Sequence, residues 1–120
     1  DLPTQLKQID AIDPGDVVID ALLGTGFQGQ LREEKSMVIR AINSRPKRSV
    51  AAVDVPTGLD CDSGKVGGVA VKADLTITFV AVKPGFAMAD GPGCVGRVEV
   101  ADIGAPRELI EQAACAVPPL

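Results

Sequence analysis

Histidine is absent from the 120 residues, as are tryptophan and tyrosine. Without histidine the chain holds no Ser-His-Asp or Cys-His catalytic set of its own and no imidazole metal ligand. Acid–base chemistry is left to Asp, Glu, Lys or Cys. Aromatics make up only 2% of the sequence, which removes the stacking platforms that bind single-stranded nucleic acid. An excess of positive charge is missing too: 12 basic residues face 16 acidic ones, a net charge of −4. Nothing therefore draws the chain to phosphate backbones, and no nucleic-acid partner is expected. The one basic cluster, Arg45, Lys47 and Arg48, reads as a solvated loop. Cys61, Cys94 and Cys115 are odd in number and form no CxxC pair, so neither a disulfide framework nor a structural zinc site is expected. Three reduced thiols suit a cytoplasmic location. No apolar run is long enough to cross a membrane, and the first residues do not read as a signal peptide.

What is present is aliphatic. Hydrophobic residues account for 46% of the chain, enough for one packed domain built from Val, Ile, Leu and Ala. Such a core suits a parallel sheet covered by helices. Residues 1–15 are polar and turn-rich, ending in Asp13-Pro14-Gly15. The run Val17–Leu23 is short, begins with β-branched residues and is flanked by Gly, as a buried strand would be. A Gly-rich loop, Gly24–Gln30, follows. Residues 32–43 are the best helix, with Met37, Val38, Ala41 and Ile42 on one side and Pro46 beyond its end. Further strands are expected at Ser49–Val55, at Val69–Val71 with Leu75–Val80, and at Arg97–Ile103. A terminal helix is expected over Pro106–Cys115. Strand, loop, helix, strand is a βαβ unit, and its crossover is right-handed. The fold class is thus α/β, with a mainly parallel sheet.

Open parallel sheets bind ligands beyond the carboxyl ends of their strands. Asp20 lies near the end of the first strand and Asp54 at the end of the second. A carboxylate among Val and Leu neighbours is costly unless it is paired, hydrogen-bonded or bound to a cation; capping the next loop is the plain alternative for Asp20. Gly24-Thr25-Gly26, continuing through Phe27 and Gln28 to Gly29, lets backbone approach a phosphate, although an ordinary strand-to-helix turn has the same glycines. Thr25, Gln28 and Gln30 add donors. Asp54-Val55-Pro56-Thr57-Gly58 is a turn that can aim carbonyls and the Thr57 hydroxyl at one point, an oxygen cage of the sort hard cations favour; the plain reading is a turn capped locally by Thr57. Lys83, in Lys83-Pro84-Gly85, is a surface lysine or a phosphate neutraliser. Cys61 and Cys94 fall in loops with no flanking base, so no nucleophilic role is expected.

Val18–Gly26, Leu31-Arg32-Glu33, Val53–Asp60, Ala73–Phe79, Lys83-Pro84-Gly85, Cys94 with Gly96-Arg97, and Ala101–Gly104 resemble, in order, motifs of the NAD(P)H-hydrate epimerase family, the YjeF N-terminal domain. The resemblance covers residues 16–104 and leaves 105–120 as a terminal helix and tail. It implies a three-layer αβα Rossmann-like fold, a homodimer, and an isomerase that interconverts the R and S forms of hydrated NADH and NADPH. It also implies a companion ADP- or ATP-dependent NAD(P)H-hydrate dehydratase. One potassium ion per site is implied, with Asp20 and Thr57 at two ligand positions; the family more often has Ser where Thr57 stands, which keeps the hydroxyl. Gly24–Gln30 would form the substrate-binding loop. Asp54 would contact the substrate, and it is the residue expected to move the proton.

The family's first βα turn carries an Asn- and Gly-rich phosphate loop with another potassium ligand. Residues 1–120 contain no counterpart. The chain is therefore expected to be the carboxy-terminal portion of one such domain, lacking its first βα units, with full activity depending on the missing part. The rival expectation is a non-catalytic nucleotide-binding or scaffold module of the same fold. It resembles a domain of mRNA-decapping scaffold proteins and an apolipoprotein-binding protein.

Overall fold

The computed structural model describes residues 1–23 and 29–114. Gly24, Thr25, Gly26, Phe27 and Gln28 of the glycine-rich loop, and Cys115, lie outside the described residues. Four strands, β1 (Val17–Asp20), β2 (Ser49–Val53), β3 (Leu75–Phe79) and β4 (Arg97–Ala101), form one sheet in the order β1-β2-β3-β4. Every pairing is parallel. Helix α1 (Leu2–Asp10) precedes β1, α2 (Glu33–Ser44) joins β1 to β2, a short α3 (Gly91–Val95) precedes β4, and α4 (Arg107–Ala114) follows it.

Helix α1 corrects the expectation of a turn-rich start. Asp1 caps it by accepting from the Thr4 N–H at 2.9 Å, and Pro3 sits in the first turn, where its missing donor costs nothing. Ile9 is buried beside Val38 and Ile42 of α2, with Leu2 and Ile12 packed around them. The signal was the spacing of Leu2, Leu6 and Ile9 within a polar stretch. In α2 the buried stripe is Val38, Ile39 and Ile42, while Met37 is 40% exposed. Ile39 thus takes the inward place expected of Met37, a rotation of about one residue.

Strand ends also fall short of the apolar runs. β1 stops at Asp20, and its carboxylate turns back to accept from Leu22 N. β2 stops at Val53, because Asp54 adopts φ +70°. Val69–Val71 is no strand; from a loop, Val69 and Val71 join the cluster of α2 and β2, and Ala70 joins that of Val55 and Leu59. Residues 84–87 form a single 3-10 turn.

The covered face of the sheet is buried under two adjoining clusters. Ile39 packs on Val50, Ala52, Val71 and Ala73; Phe86 packs on Val55, Leu59, Cys94 and Val95. Each large side chain so buried contributes about 1.5–3 kcal/mol. Side chains alternate along a strand, and those of the other face are less covered: Val17 is 54%, Ile19 69% and Ile77 37% exposed. The α/β class with a parallel sheet is as expected.

Candidate functional site

At the carboxyl edge of the sheet, Asp20 is in register with Ala52, and Ala52 with Thr76. Residues in parallel register share a face, so Asp20, Ala52, Thr76 and Thr78 all point to the covered side. Asp20 is 2% exposed. Its Oδ2 accepts from Thr57 N at 2.8 Å, and its Oδ1 accepts from the Thr57 hydroxyl at 2.6 Å and from Leu22 N at 3.3 Å. The Thr57 hydroxyl in turn accepts from Leu23 N at 3.2 Å. Asp20 therefore does cap its own loop, but its stronger partners lie 37 residues away. Of the two readings of Thr57, the purely local cap is set aside: its hydroxyl and N–H join two strand ends.

The charge of Asp20 has no cationic partner: no Lys or Arg among the described residues pairs with it. Three donated hydrogen bonds stabilise the buried carboxylate, and a bound cation is the other means by which such a charge is balanced. Its oxygens and Thr57 Oγ1 are hard donors, the chemistry that alkali and alkaline-earth ions accept.

The turn that carries Thr57 is rigid. Residues 55–59 are all buried. Gly58 stands at φ +97°, and a Cβ there would lie 2.3 Å from the Val69 carbonyl oxygen. Thr57 O accepts from Val71 N at 2.9 Å. Only glycine meets both demands, a left-handed backbone and no space for a side chain.

Asp54 opens the same turn but has different partners. Its Oδ1 accepts from the Thr78 hydroxyl at 3.1 Å and from Phe79 N at 3.4 Å, and Lys83 Nζ stands 3.6 Å away. The side chains of Asp54 and Lys83 are 19% and 20% exposed, so the pair is sheltered yet reachable. Lys83 is neither a free surface lysine nor an evident phosphate ligand: its Nζ also donates to Phe79 O at 2.8 Å and Ala81 O at 2.9 Å. Two tight three-residue turns sit side by side here. Val55 N donates to Val53 O at 3.0 Å around Asp54, and Ala81 N donates to Phe79 O at 2.8 Å around Val80. Their central residues have φ +70° and +72°. Non-glycine residues rarely adopt that region, and a β-branched Val least of all.

Asp20 and Asp54 thus share one edge and one face of the sheet and are bridged by the chain from 54 to 57, but among the described residues they have no hydrogen-bond partner in common. Of the glycine-rich loop, Gly29 and Gln30 are described. They lie against Asp60, Lys65, Val66 and Gly67 in a cavity of about 220 Å³. A larger cavity of about 640 Å³, lined by Asn43, Lys72, Asp90 and Cys94 among others, includes neither carboxylate. Cys94 is in α3 rather than in a loop, Cys61 is in a turn, and both are buried. Burial pushes both thiols above their ordinary value, as do Asp62 and Asp60 for Cys61 and Asp90 for Cys94. Neither is activated as a nucleophile.

Thr78 was not singled out from the sequence. Its signal was alternation: in Leu75-Thr76-Ile77-Thr78-Phe79 both threonines share a face, and both are fully buried. Thr76 satisfies its hydroxyl on Val95 O at 2.7 Å; Thr78 satisfies its own on Asp54.

Residues 2–85 match the family profile described as YjeF-related protein N-terminus. The chain is 48% identical over 97 residues to an NAD(P)H-hydrate epimerase of Pirellula staleyi, covering 81% of this chain and 42% of that protein. It is 53% identical over 103 residues to a bifunctional NAD(P)H-hydrate repair enzyme Nnr of Archaeoglobus fulgidus, covering 86% of this chain and 20% of that one. Over 89 residues it is 43% identical to a bifunctional NAD(P)H-hydrate repair enzyme of Leishmania infantum, covering 74% and 16%. The chain thus spans less than half the length of these relatives. A parallel sheet with acidic strand ends, read together with a profile match over most of its length, shows that this chain belongs to the YjeF-related protein N-terminus family.

Proposed function

We propose that the protein carrying this chain interconverts the R and S forms of hydrated NADH and NADPH. The observation that carries the reading is Asp54: a sheltered carboxylate, aimed by Thr78 and Phe79 and faced by Lys83, at the carboxyl edge of a parallel sheet. Relatives that match across this segment are named for NAD(P)H-hydrate epimerisation and repair.

The hydrated nicotinamide bears a hydroxyl beside its ring nitrogen. The nitrogen lone pair expels that hydroxyl as Asp54 supplies a proton, which gives water, a planar cation and the Asp54 carboxylate. Water then adds to either face of the cation and returns a proton to Asp54. The Gly24–Gln30 loop binds the substrate.

Asp20 and Thr57 would hold potassium. Their hard oxygens, and a buried Asp20 with no basic side chain paired to it among the described residues, fit such an ion. The ion would balance negative charge and order the turn between the two strands. The reading extends to a homodimer, a dehydratase acting on the same substrate, and the cytoplasm; among the described residues no helix is long and apolar enough to cross a membrane.

The test is R/S exchange in hydrated NADPH, followed by chiral separation with the whole protein that carries this chain. Enzyme-dependent equilibration supports the reading. Binding of a nicotinamide nucleotide without exchange overturns it in favour of a non-catalytic module.

A further inference from the structure

Lys83 occupies a position that neither a surface lysine nor a phosphate ligand needs. Its ammonium group spends two donors on Phe79 O and Ala81 O, the carbonyls on either side of Val80. That is the turn in which Val80 is held at φ +72°. Its charge faces Asp54 Oδ1 at 3.6 Å, at the centre of the neighbouring turn, where φ is +70°. One side chain thus ties two strained turns at the ends of adjacent strands. All described contacts of the Asp54 carboxylate fall on Oδ1, which leaves Oδ2 to meet a substrate.

We infer that Lys83 is the positioning residue for Asp54: it clasps the β2 and β3 turns together, fixes the carboxylate through Oδ1, and favours the carboxylate formed when the proton moves to the leaving hydroxyl. The inference rests on the epimerase reading for its catalytic consequence. The geometry itself rests on distances alone. Strained backbone persists only where its surroundings over-determine it, and the paired carbonyl contacts of Lys83 supply such a restraint. Phe79 N and the Thr78 hydroxyl set the direction of Asp54; Lys83 adds the only basic side chain paired with it among the described residues.

The experiment compares wild type, Lys83→Met and Lys83→Arg in the whole protein. Two readouts are taken: R/S exchange kinetics, and the Asp54 carboxyl carbon and Phe79 amide resonances in NMR spectra. Misplacing a reacting group by about 1 Å costs on the order of a hundredfold. Lys83→Met is therefore expected to lower kcat by about 30- to 100-fold with KM changed less than about threefold. Lys83→Arg should recover most of kcat, because it keeps the charge and the donors. The Asp54 and Phe79 resonances should move in the Met variant, and that of Asp20 should not. A Met variant with kcat within about threefold of wild type, or an Arg variant no better than Met, overturns the inference. So do unmoved Asp54 and Phe79 signals. If wild type itself shows no exchange, the epimerase reading fails alone, and the NMR arm still decides the role of Lys83. Should Lys83→Met not fold, Lys83→Gln, which keeps a donor and drops the charge, carries the same expectations.

Discussion

Thr57 gives its hydroxyl proton to Asp20 at 2.6 Å and its backbone N–H to the same carboxylate at 2.8 Å. Two residues 37 positions apart thereby close the carboxyl ends of β1 and β2 into one unit. The unit is buried, so it is sensitive to single atoms. Thr57→Ser keeps the hydroxyl and should cost only about 1 kcal/mol for the lost methyl. Thr57→Val leaves Asp20 Oδ1 short of a donor and should cost about 2–3 kcal/mol. Urea midpoints at constant slope distinguish the two; equal losses would remove the hydrogen bond from the account.

Potassium is expected to stabilise the folded protein through that same unit. An ion that binds only the native state at about a hundred times its Kd adds about 2.7 kcal/mol. Melting temperature should therefore rise with KCl beyond its rise in tetramethylammonium chloride at equal ionic strength. Asp20→Asn should abolish the difference. A potassium response that survives in Asp20→Asn places the ion elsewhere.

Asp54→Asn should cut R/S exchange by at least about a hundredfold, the usual contribution of a positioned acid–base group. Asn retains acceptors for Thr78 and Phe79, so the thermal midpoint should move little. Exchange at the wild-type rate in a folded Asp54→Asn protein removes Asp54 from proton transfer.

Gly58→Ala tests the turn itself. The left-handed φ of +97° and the 2.3 Å approach of a Cβ to Val69 O act together, and the loss should reach about 3 kcal/mol or more. Gly68→Ala is the control, since φ is +109° there but nothing lies within 4 Å of the added carbon. It should cost about 1–2 kcal/mol, the strain alone. Equal midpoints for the two variants would show that crowding at Gly58 is relieved.

Stability should decline at both ends of the pH scale, for different groups. The Asp60 carboxyl is held below its ordinary value of 3.8, first by the Asp62 N–H and then by the Ser63 N–H. Its contribution is present above 3.8 and is lost as pH falls through the lower folded value. Burial raises the Cys61 and Cys94 thiols above their ordinary 9.0. Their contribution is intact below 9.0 and is lost as pH climbs toward the higher folded values, because the unfolded thiols ionise first. Urea midpoints measured from pH 3 to 11 check both limbs. A rise in stability above pH 9 would contradict the buried thiols.

The sequence alone was enough for the class of fold and for the edge of the sheet at which the two carboxylates stand. Apolar runs that carry Asp20 and Asp54 near their ends, with glycine or proline beyond each, mark parallel strands and their carboxyl edge, because period and turn chemistry are local properties. Helix α1 was legible in principle and was hidden by its polar surface. The partners of each carboxylate were not legible. Asp20 meets Thr57, and Asp54 meets Thr78 and Lys83, through a register that depends on how β2 pairs with both neighbours. Lys83 shows the division most plainly. By composition it is a surface cation, and only the left-handed turn at Val80 brings its ammonium group back over Phe79 O and toward Asp54. Local pattern determines which residues reach a strand end; long-range pairing and backbone strain decide what they touch there.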